Sequence, residues 1–144
     1  MAIQVLGIHH HATRIDGSQL AALQSFYKDV LGLGADPGRP TIPGVPGFWI
    51  NVGDGGQIHL IGGAQPSTLA KGPGQDPTIP HVALAVADIQ ATKAELDRLG
   101  VKYWSMTGIN GPAAEQVFIN DPSGNMVELH QVDQCRCAAE GRVE

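Results

Sequence analysis

Apolar and polar positions repeat one order twice along the chain. Ile8-His9-His10-His11-Ala12-Thr13-Arg14-Ile15 is bounded by apolar residues and suits a strand. Ile79-Pro80-His81-Val82-Ala83-Leu84-Ala85-Val86 matches it in register, with His10 over His81 and Ala12 over Ala83. Helical spacing follows each strand. The first helix is predicted from about Ser18, its N-cap, with Leu20, Leu23, Phe26, Tyr27, Val30 and Leu31 on one side and a stop at Gly32. The second is predicted from a cap at Asp88, with Ile89, Leu96 and Leu99 on its apolar face and a stop at Gly100. Later in each half come two strands joined by a turn rich in Gly, Asp or Pro. These are Phe48–Val52 and Gln57–Ile61 around residues 53–56, then Gln116–Asn120 and Asn125–Gln131 around residues 121–124.

A more weakly marked strand is expected before each hairpin, within about Leu33–Ile42 and again within Val101–Met106. The halves also agree in length, with 27 residues from Gly32 to His59 and 28 from Gly100 to Glu128. The pattern predicts an α+β fold in one domain over residues 1–144, made of two βαβββ modules in tandem. Module 1 covers about 4–61, a linker rich in Gly and Pro covers 62–78, module 2 covers about 79–131, and a polar tail covers 132–144. A four-stranded sheet covered by one helix leaves a concave face exposed. The two modules are expected to bury these faces against each other or against a second chain, as paired sheets forming a half-barrel.

Composition narrows the function classes. The chain has 9 basic and 14 acidic residues, a net charge of −5, and no run of Lys or Arg. It therefore lacks the basic stripe that a nucleic-acid binder uses against phosphates. Its apolar runs are a few residues long, far below the ~20 that span a bilayer, and the first residues do not read as a signal peptide. No nucleic-acid or membrane partner is expected, and a cytoplasmic location follows by default. Cys135 and Cys137 are too close for an unstrained disulfide and too few for zinc, so they read as reduced thiols.

Side chains alternate along a strand, so the apolar set tells which face each histidine takes. Val82, Leu84 and Val86 belong under the helix, which leaves His81, Ala83 and Ala85 on the concave face, and the repeat puts His10 and Ala12 there too. His9 and His11 are expected to point away. Ile58 and Leu60 leave Gln57, His59 and Ile61 inward; Val127 and Leu129 leave Met126, Glu128 and His130 inward. His10, His59, His81 and Glu128 thus fall at matched points of the two modules. Burying such groups unpaired is costly, and a divalent ion resolves the cost for all four at once. Imidazole with carboxylate suits Zn, Ni, Fe, Mn or Co. His130 shares the face of Glu128 one step along; it is not counted among the site residues, and support of the ligands from behind is the alternative reading for it. The loop over residues 36–47, which precedes the strand carrying Trp49, is expected to border the pocket.

These residues, with Phe26-Tyr27-Lys28-Asp29-Val30-Leu31-Gly32 and Asp121-Pro122-Ser123-Gly124-Asn125-Met126-Val127-Glu128-Leu129, resemble the vicinal oxygen chelate superfamily from about Leu6 to Gln131. That group contains glyoxalase I, methylmalonyl-CoA epimerase, fosfomycin-resistance proteins and extradiol dioxygenases. The resemblance implies paired βαβββ modules with metal ligands at His10, His59, His81 and Glu128. It also implies a homodimer, in which His10 and His59 of one chain would meet His81 and Glu128 of the other. Where this chain has His59, glyoxalase I has a carboxylate or a glutamine. Arg14 matches an arginine that contacts glutathione there, and Arg14 and Trp49 are taken as substrate-binding residues. The implied chemistry is chelation of two vicinal oxygens of a small substrate, which stabilises negative charge on an enolate, enediolate or catecholate. Glu128 and His59 would carry protons as catalytic residues. Three readings are implied: a metal-dependent isomerase or lyase of glyoxalase type; an Fe(II) extradiol-type dioxygenase on His10, His81 and Glu128 with His59 as acid/base; and a non-catalytic binder like the bleomycin-resistance proteins.

Overall fold

The structure, a computed structural model, describes residues 3–134. Cys135 and Cys137 lie outside the described residues. In chain order the strands are β1 (Val5–Arg14), β2 (Gly47–Val52), β3 (Gly56–Ile61), β4 (His81–Val86), β5 (Trp104–Thr107), β6 (Glu115–Asn120) and β7 (Met126–Gln131). The helices are α1 (Leu20–Ser25) and α2 (Ile89–Leu99). All seven strands form one mixed sheet in the order β2-β3-β1-β4-β7-β6-β5, which gives the α+β class that the pattern predicts.

The modules join edge to edge within one chain, through antiparallel pairing of β1 with β4. Each of these strands pairs on its other side with the last strand of its own module in parallel, β1 with β3 and β4 with β7. The inward faces therefore run on as one surface. On it Ala12, Gln57, His59, Ile61, His81, Ala83, Ala85, Met126, Glu128 and His130 are all buried, as alternation predicts. The two alanines make room for the larger groups. Ala12 sits between His59 and His81 in register, and Ala83 sits between His10 and Glu128.

The second module follows its pattern closely. Asp88 caps α2 by accepting from the Ala91 amide at 2.9 Å, and Gly100 ends it at φ 71°, a left-handed conformation that glycine adopts without a Cβ clash. Ile89 and Leu96 of α2 pack on Val86, Val117 and Leu129 in a buried cluster. The first module departs from its pattern in two places. Its helix is split into a 3₁₀ turn (Gly17–Gln19), α1, and a π turn over Phe26–Val30. A π turn adds a residue to the coil and rotates the side chains beyond it. No residue of α1 or of the π turn is buried, and Phe26, Val30 and Leu31 stand 49%, 67% and 52% exposed. The strand expected within Leu33–Ile42 is reduced to one bridge, Ala35 to Ile50. Pro37 and Pro40 deny the segment the amide donors of a continuous ladder.

Two loops brace the site. In the linker, Asp76 accepts from the amides and hydroxyls of both Ser67 and Thr78 at 2.7–2.9 Å. Between β6 and β7, Asp121 accepts from the Ser123 and Asn125 amides at 2.9 Å each. That turn sets the register that puts Glu128 opposite Phe118.

Candidate metal centre

His10 comes from β1, His81 from the start of β4 and Glu128 from β7, three neighbouring strands. Their atoms converge: His10 Nε2 lies 3.2 Å from His81 Nε2, and Glu128 Oε1 lies 3.1 Å from His81 Nε2 and 3.6 Å from His10 Nε2. One ligand atom from each lies within 4.8 Å of the others, and all three residues are buried. The donor set fits a cation. His81 Nδ1 is 2.6 Å from the Ile79 carbonyl, which only accepts, so this nitrogen carries the proton. In neutral His81 the Nε2 lone pair then faces a carboxylate oxygen at 3.1 Å. Two acceptors at that distance require a positive charge between them, either a proton or a metal cation.

The electrostatics of the ion-free site agree. Burial works against the charged form of Glu128, but His10, His130 and His81 outweigh it and hold the carboxyl well below its ordinary range. Burial lowers His10 despite the attraction of Glu128. For His81 burial also pulls downward, yet the hydrogen bond and charge of Glu128 raise it on balance. His130 Nδ1 lies 3.1 Å from Glu128 Oε2, on the carboxylate oxygen that faces away from His81, so the alternative reading of His130 as a support for Glu128 is the one its position favours.

His59 stands beside this group. Its ring stacks on His10 with centroids 3.6 Å apart and planes 14° off parallel, and on Trp49 at 4.7 Å and 9°. Its Nε2 is 2.8 Å from Gln57 Oε1. Burial, with His10 and His9 nearby, holds its imidazole well below the ordinary value. His59 is not one of the three residues whose ligand atoms converge.

A cavity of about 60 Å³ opens over the site. His9, His10, Trp49, His59, His81, Glu128 and His130 line it together with the apolar side chains of Ile42, Val45, Leu69, Met106 and Ile109. Arg39, Ile42 and Val45 come from the loop over residues 36–47, which borders the pocket as its position predicts. Arg14 is not among the lining residues. Its guanidinium bonds the carbonyls of Gly62 and Gly63 at the far end of β1.

Two expectations are corrected. His9 does not point away: it is 3% exposed, its Nδ1 lies 2.8 Å from His10 Nδ1, and it lines the cavity. The cause is a β-bulge, since β1 advances two residues from Ile8 to His10 while β4 advances one from Leu84 to Ala83. His11 is exposed as predicted. The second correction concerns assembly, for His10, His81 and Glu128 meet within one chain and need no second copy to come together. Asp36, Arg39 and Gln57 also belong to the surroundings of the site; alternation puts Gln57 on the inward face without giving it a role, and nothing in the pattern singles out Asp36 or Arg39. Gln57 carries a signal, two residues before His59 on one strand face; Asp36 and Arg39 lie in a loop with no periodicity to place them.

The family described as Glyoxalase/Bleomycin resistance protein/Dioxygenase superfamily matches residues 7–129. The chain belongs to that superfamily. A curated relative, "Glyoxylase I 4" of Arabidopsis thaliana, is 28% identical over 114 residues, covering 78% of this chain and 62% of the relative's own length. Among solved structures, methylmalonyl-CoA epimerase from Mycobacterium tuberculosis aligns with a TM-score of 0.67 at 23% identity, over 88% of each chain. A substituted variant of Streptomyces coelicolor methylmalonyl-CoA epimerase in complex with 2-nitronate-propionyl-CoA aligns with a TM-score of 0.67 at 20% identity, over 89% of this chain and 98% of that one. These structural likenesses establish the fold. Among the described residues no helix is long and apolar enough to cross a membrane.

The ion-free protein should show a pH-dependent stability. His10 and His59 have folded values below the ordinary ~6.5, so below that pH the unfolded chain binds more protons and stability falls with acidification. Glu128 has a depressed folded value, so its contribution is present above the ordinary carboxyl range and is lost as pH falls through that folded value. His81 opposes, because a raised value stabilises below ~6.5 and loses its effect as pH rises through the folded value. Two lowered imidazoles against one raised one, with Glu128 adding only at the acid end, should make urea midpoints of the chelator-treated protein fall from pH 7 to pH 4. A flat or rising profile would contradict the site as described.

Proposed function

We propose that the chain is a divalent-metal-dependent enzyme in which His10, His81 and Glu128 hold the ion, acting on a small substrate with two adjacent oxygens. The reaction is an isomerase or lyase reaction that moves a proton at the carbon beside those oxygens. The observation that carries this reading is the convergence of three buried N and O donors at the floor of a cavity with an otherwise largely apolar wall. When bound, the ion supplies Lewis-acid stabilisation of the negative charge that builds on the substrate oxygens. Trp49 and the apolar wall exclude water and flank the substrate. His59, kept neutral by burial and beside the ligands, is the proton carrier, and Glu128 is the second group able to take a proton. Zn, Ni, Mn, Co and Fe all suit this donor set. The names of the relative and the neighbours, a glyoxylase and epimerases of a CoA ester, support proton chemistry on such substrates. A homodimer and a cytoplasmic location belong to the same proposal, whereas Arg14, held on the Gly62 and Gly63 carbonyls outside the cavity, is not proposed as a substrate contact.

A second reading has its own support. Two histidines and one carboxylate are the donor set of non-haem Fe(II) oxygenases, with His59 then serving as acid/base. Non-catalytic binding is disfavoured, because it gives no use to a converging donor set. Anaerobic purification with elemental analysis, then two assays, separates these. Solvent deuterium exchange into hemithioacetals and malonyl-type thioesters with Zn(II), Ni(II) or Co(II) supports the first reading. Oxygen uptake with Fe(II) and catechols, giving a yellow ring-fission product, replaces it with the second. No metal after reconstitution removes both.

A further inference from the structure

Behind His59 lies a chain of polar side chains that the metal site does not use. Asp36, Asn51, Gln57 and His59 are 4%, 2%, 3% and 7% exposed, so their hydrogen bonds are not exchanged with bulk water. The Gln57 amide nitrogen lies 3.0 Å from Asp36 Oδ2 and 2.9 Å from Asn51 Oδ1. An ionised carboxylate accepts only, so Asp36 decides which end of the Gln57 amide faces it: the nitrogen must. The carbonyl end then faces His59, with Oε1 2.8 Å from Nε2. A carbonyl also accepts only, so Nε2 must donate and therefore carries the proton. Asp36 is itself held, with its Oδ1 accepting from the Gly38 amide at 2.9 Å and its own amide bonding the Trp49 carbonyl at 2.6 Å. The His59 ring, stacked between Trp49 and His10, has no room to turn over.

We propose that Asp36, acting through Gln57, is a positioning residue that fixes His59 as the Nε2–H tautomer and makes Nδ1 the atom that accepts the substrate proton. This rests on the reading of His59 as proton carrier. In the step it serves, the C–H bond beside the substrate oxygens breaks, its electron pair stays on the substrate, and the proton bonds Nδ1. The resulting imidazolium keeps its Nε2–H donated to Gln57, whose amide donates onward to the Asp36 carboxylate. The arrangement thus spreads the new positive charge toward a fixed negative one without moving a second proton. Asn51 Oδ1 accepts the other amide hydrogen of Gln57; being an amide it could serve either orientation, which leaves Asp36 as the group that selects one.

The test reads the tautomer directly. Long-range ¹H–¹⁵N correlation spectra of the metal-free ¹⁵N-labelled protein are recorded at pH 7.5, with His59 assigned from the His59→Gln spectrum. The wild-type ring should show a pyrrole-type Nε2 and an unprotonated Nδ1 at their limiting positions. In Asp36→Asn the amide chain can reverse, so both nitrogens should shift toward each other as the second tautomer becomes populated. Gln57→Met removes the acceptor with similar bulk and should produce the same drift, which keeps the test open if one variant folds poorly. A wild-type Nδ1–H ring, or limiting Nε2–H signals unchanged in both variants, overturns the proposal. Metal content is measured separately, by elemental analysis of wild-type protein reconstituted with Zn(II), Ni(II), Co(II) or Fe(II) and dialysed. Absence of metal on the wild type overturns the functional reading, whereas the tautomer signals decide only the role of Asp36.

Discussion

Glu128→Ala should abolish stoichiometric divalent-metal binding while the protein stays folded. Glu128 is the single anion among the three converging residues, and its Oε1 lies 3.1 Å from His81 Nε2 and 3.6 Å from His10 Nε2. Partners behind the ligands of metal sites account for about 10–100-fold in affinity. Loss of a charged ligand from a set of three should therefore exceed about 100-fold. The carboxylate also compensates buried imidazoles, so its removal returns His81 toward the neutral form. Glu128→Gln keeps the shape, loses the charge, and should lie between the two proteins in affinity. Elemental analysis after reconstitution and dialysis reads the outcome, with circular dichroism as the control for folding. Near-normal metal content in Glu128→Ala would remove this residue from the ligand set.

Much of this site is legible in the sequence because it depends on period-two alternation. Once Val82, Leu84 and Val86 are assigned to the helix side, His81 has only one face left, and the repeat carries His10 with it. Glu128 and His59 are placed by their own apolar neighbours in the same way, and all four are buried on the expected face. The turns are legible for a related reason: Asp121, Gly124 and Asn125 have side-chain and backbone properties that mean something at short range.

Three things are not legible, and each fails where alternation stops being the rule. His9 is brought inward by a bulge, which depends on how β1 meets β4 across about seventy residues of chain and leaves no local composition signal. Asp36 reaches Gln57 from a loop rich in Pro and Gly, whose path is set by its carbonyl and amide contacts with β2. How the modules join is also outside the pattern, since the same inward faces could meet within one chain or between two. The deciding fact is edge pairing of β1 with β4, a long-range choice to which alternation is blind.

The largest effect on stability should come from Phe118→Ala. Phe118 is fully buried, stacks on Trp104 with centroids 4.1 Å apart and planes 12° off parallel, and meets the His81 ring nearly edge-on at 6.1 Å. It faces Glu128 across the β6–β7 pair and packs with Met106 and Met126 in the cluster beneath the second half of the site. Truncating a buried Phe to Ala costs about 3–5 kcal/mol, through lost transfer energy and the cavity left behind. Against a total of about 5–15 kcal/mol for a domain this is a large share, and it should lower Tm by roughly 10–20 °C. Phe118→Leu refills most of the space and should lose less than half as much. Because Phe118 supports both His81 and the strand carrying Glu128, metal affinity should fall in the Ala variant even well below its Tm. Thermal melts of the metal-free proteins, paired with metal titration at low temperature, test both parts. A loss below about 1 kcal/mol would be the scale of an ordinary surface change and would mean that this ring does not hold the second module's half of the site in place.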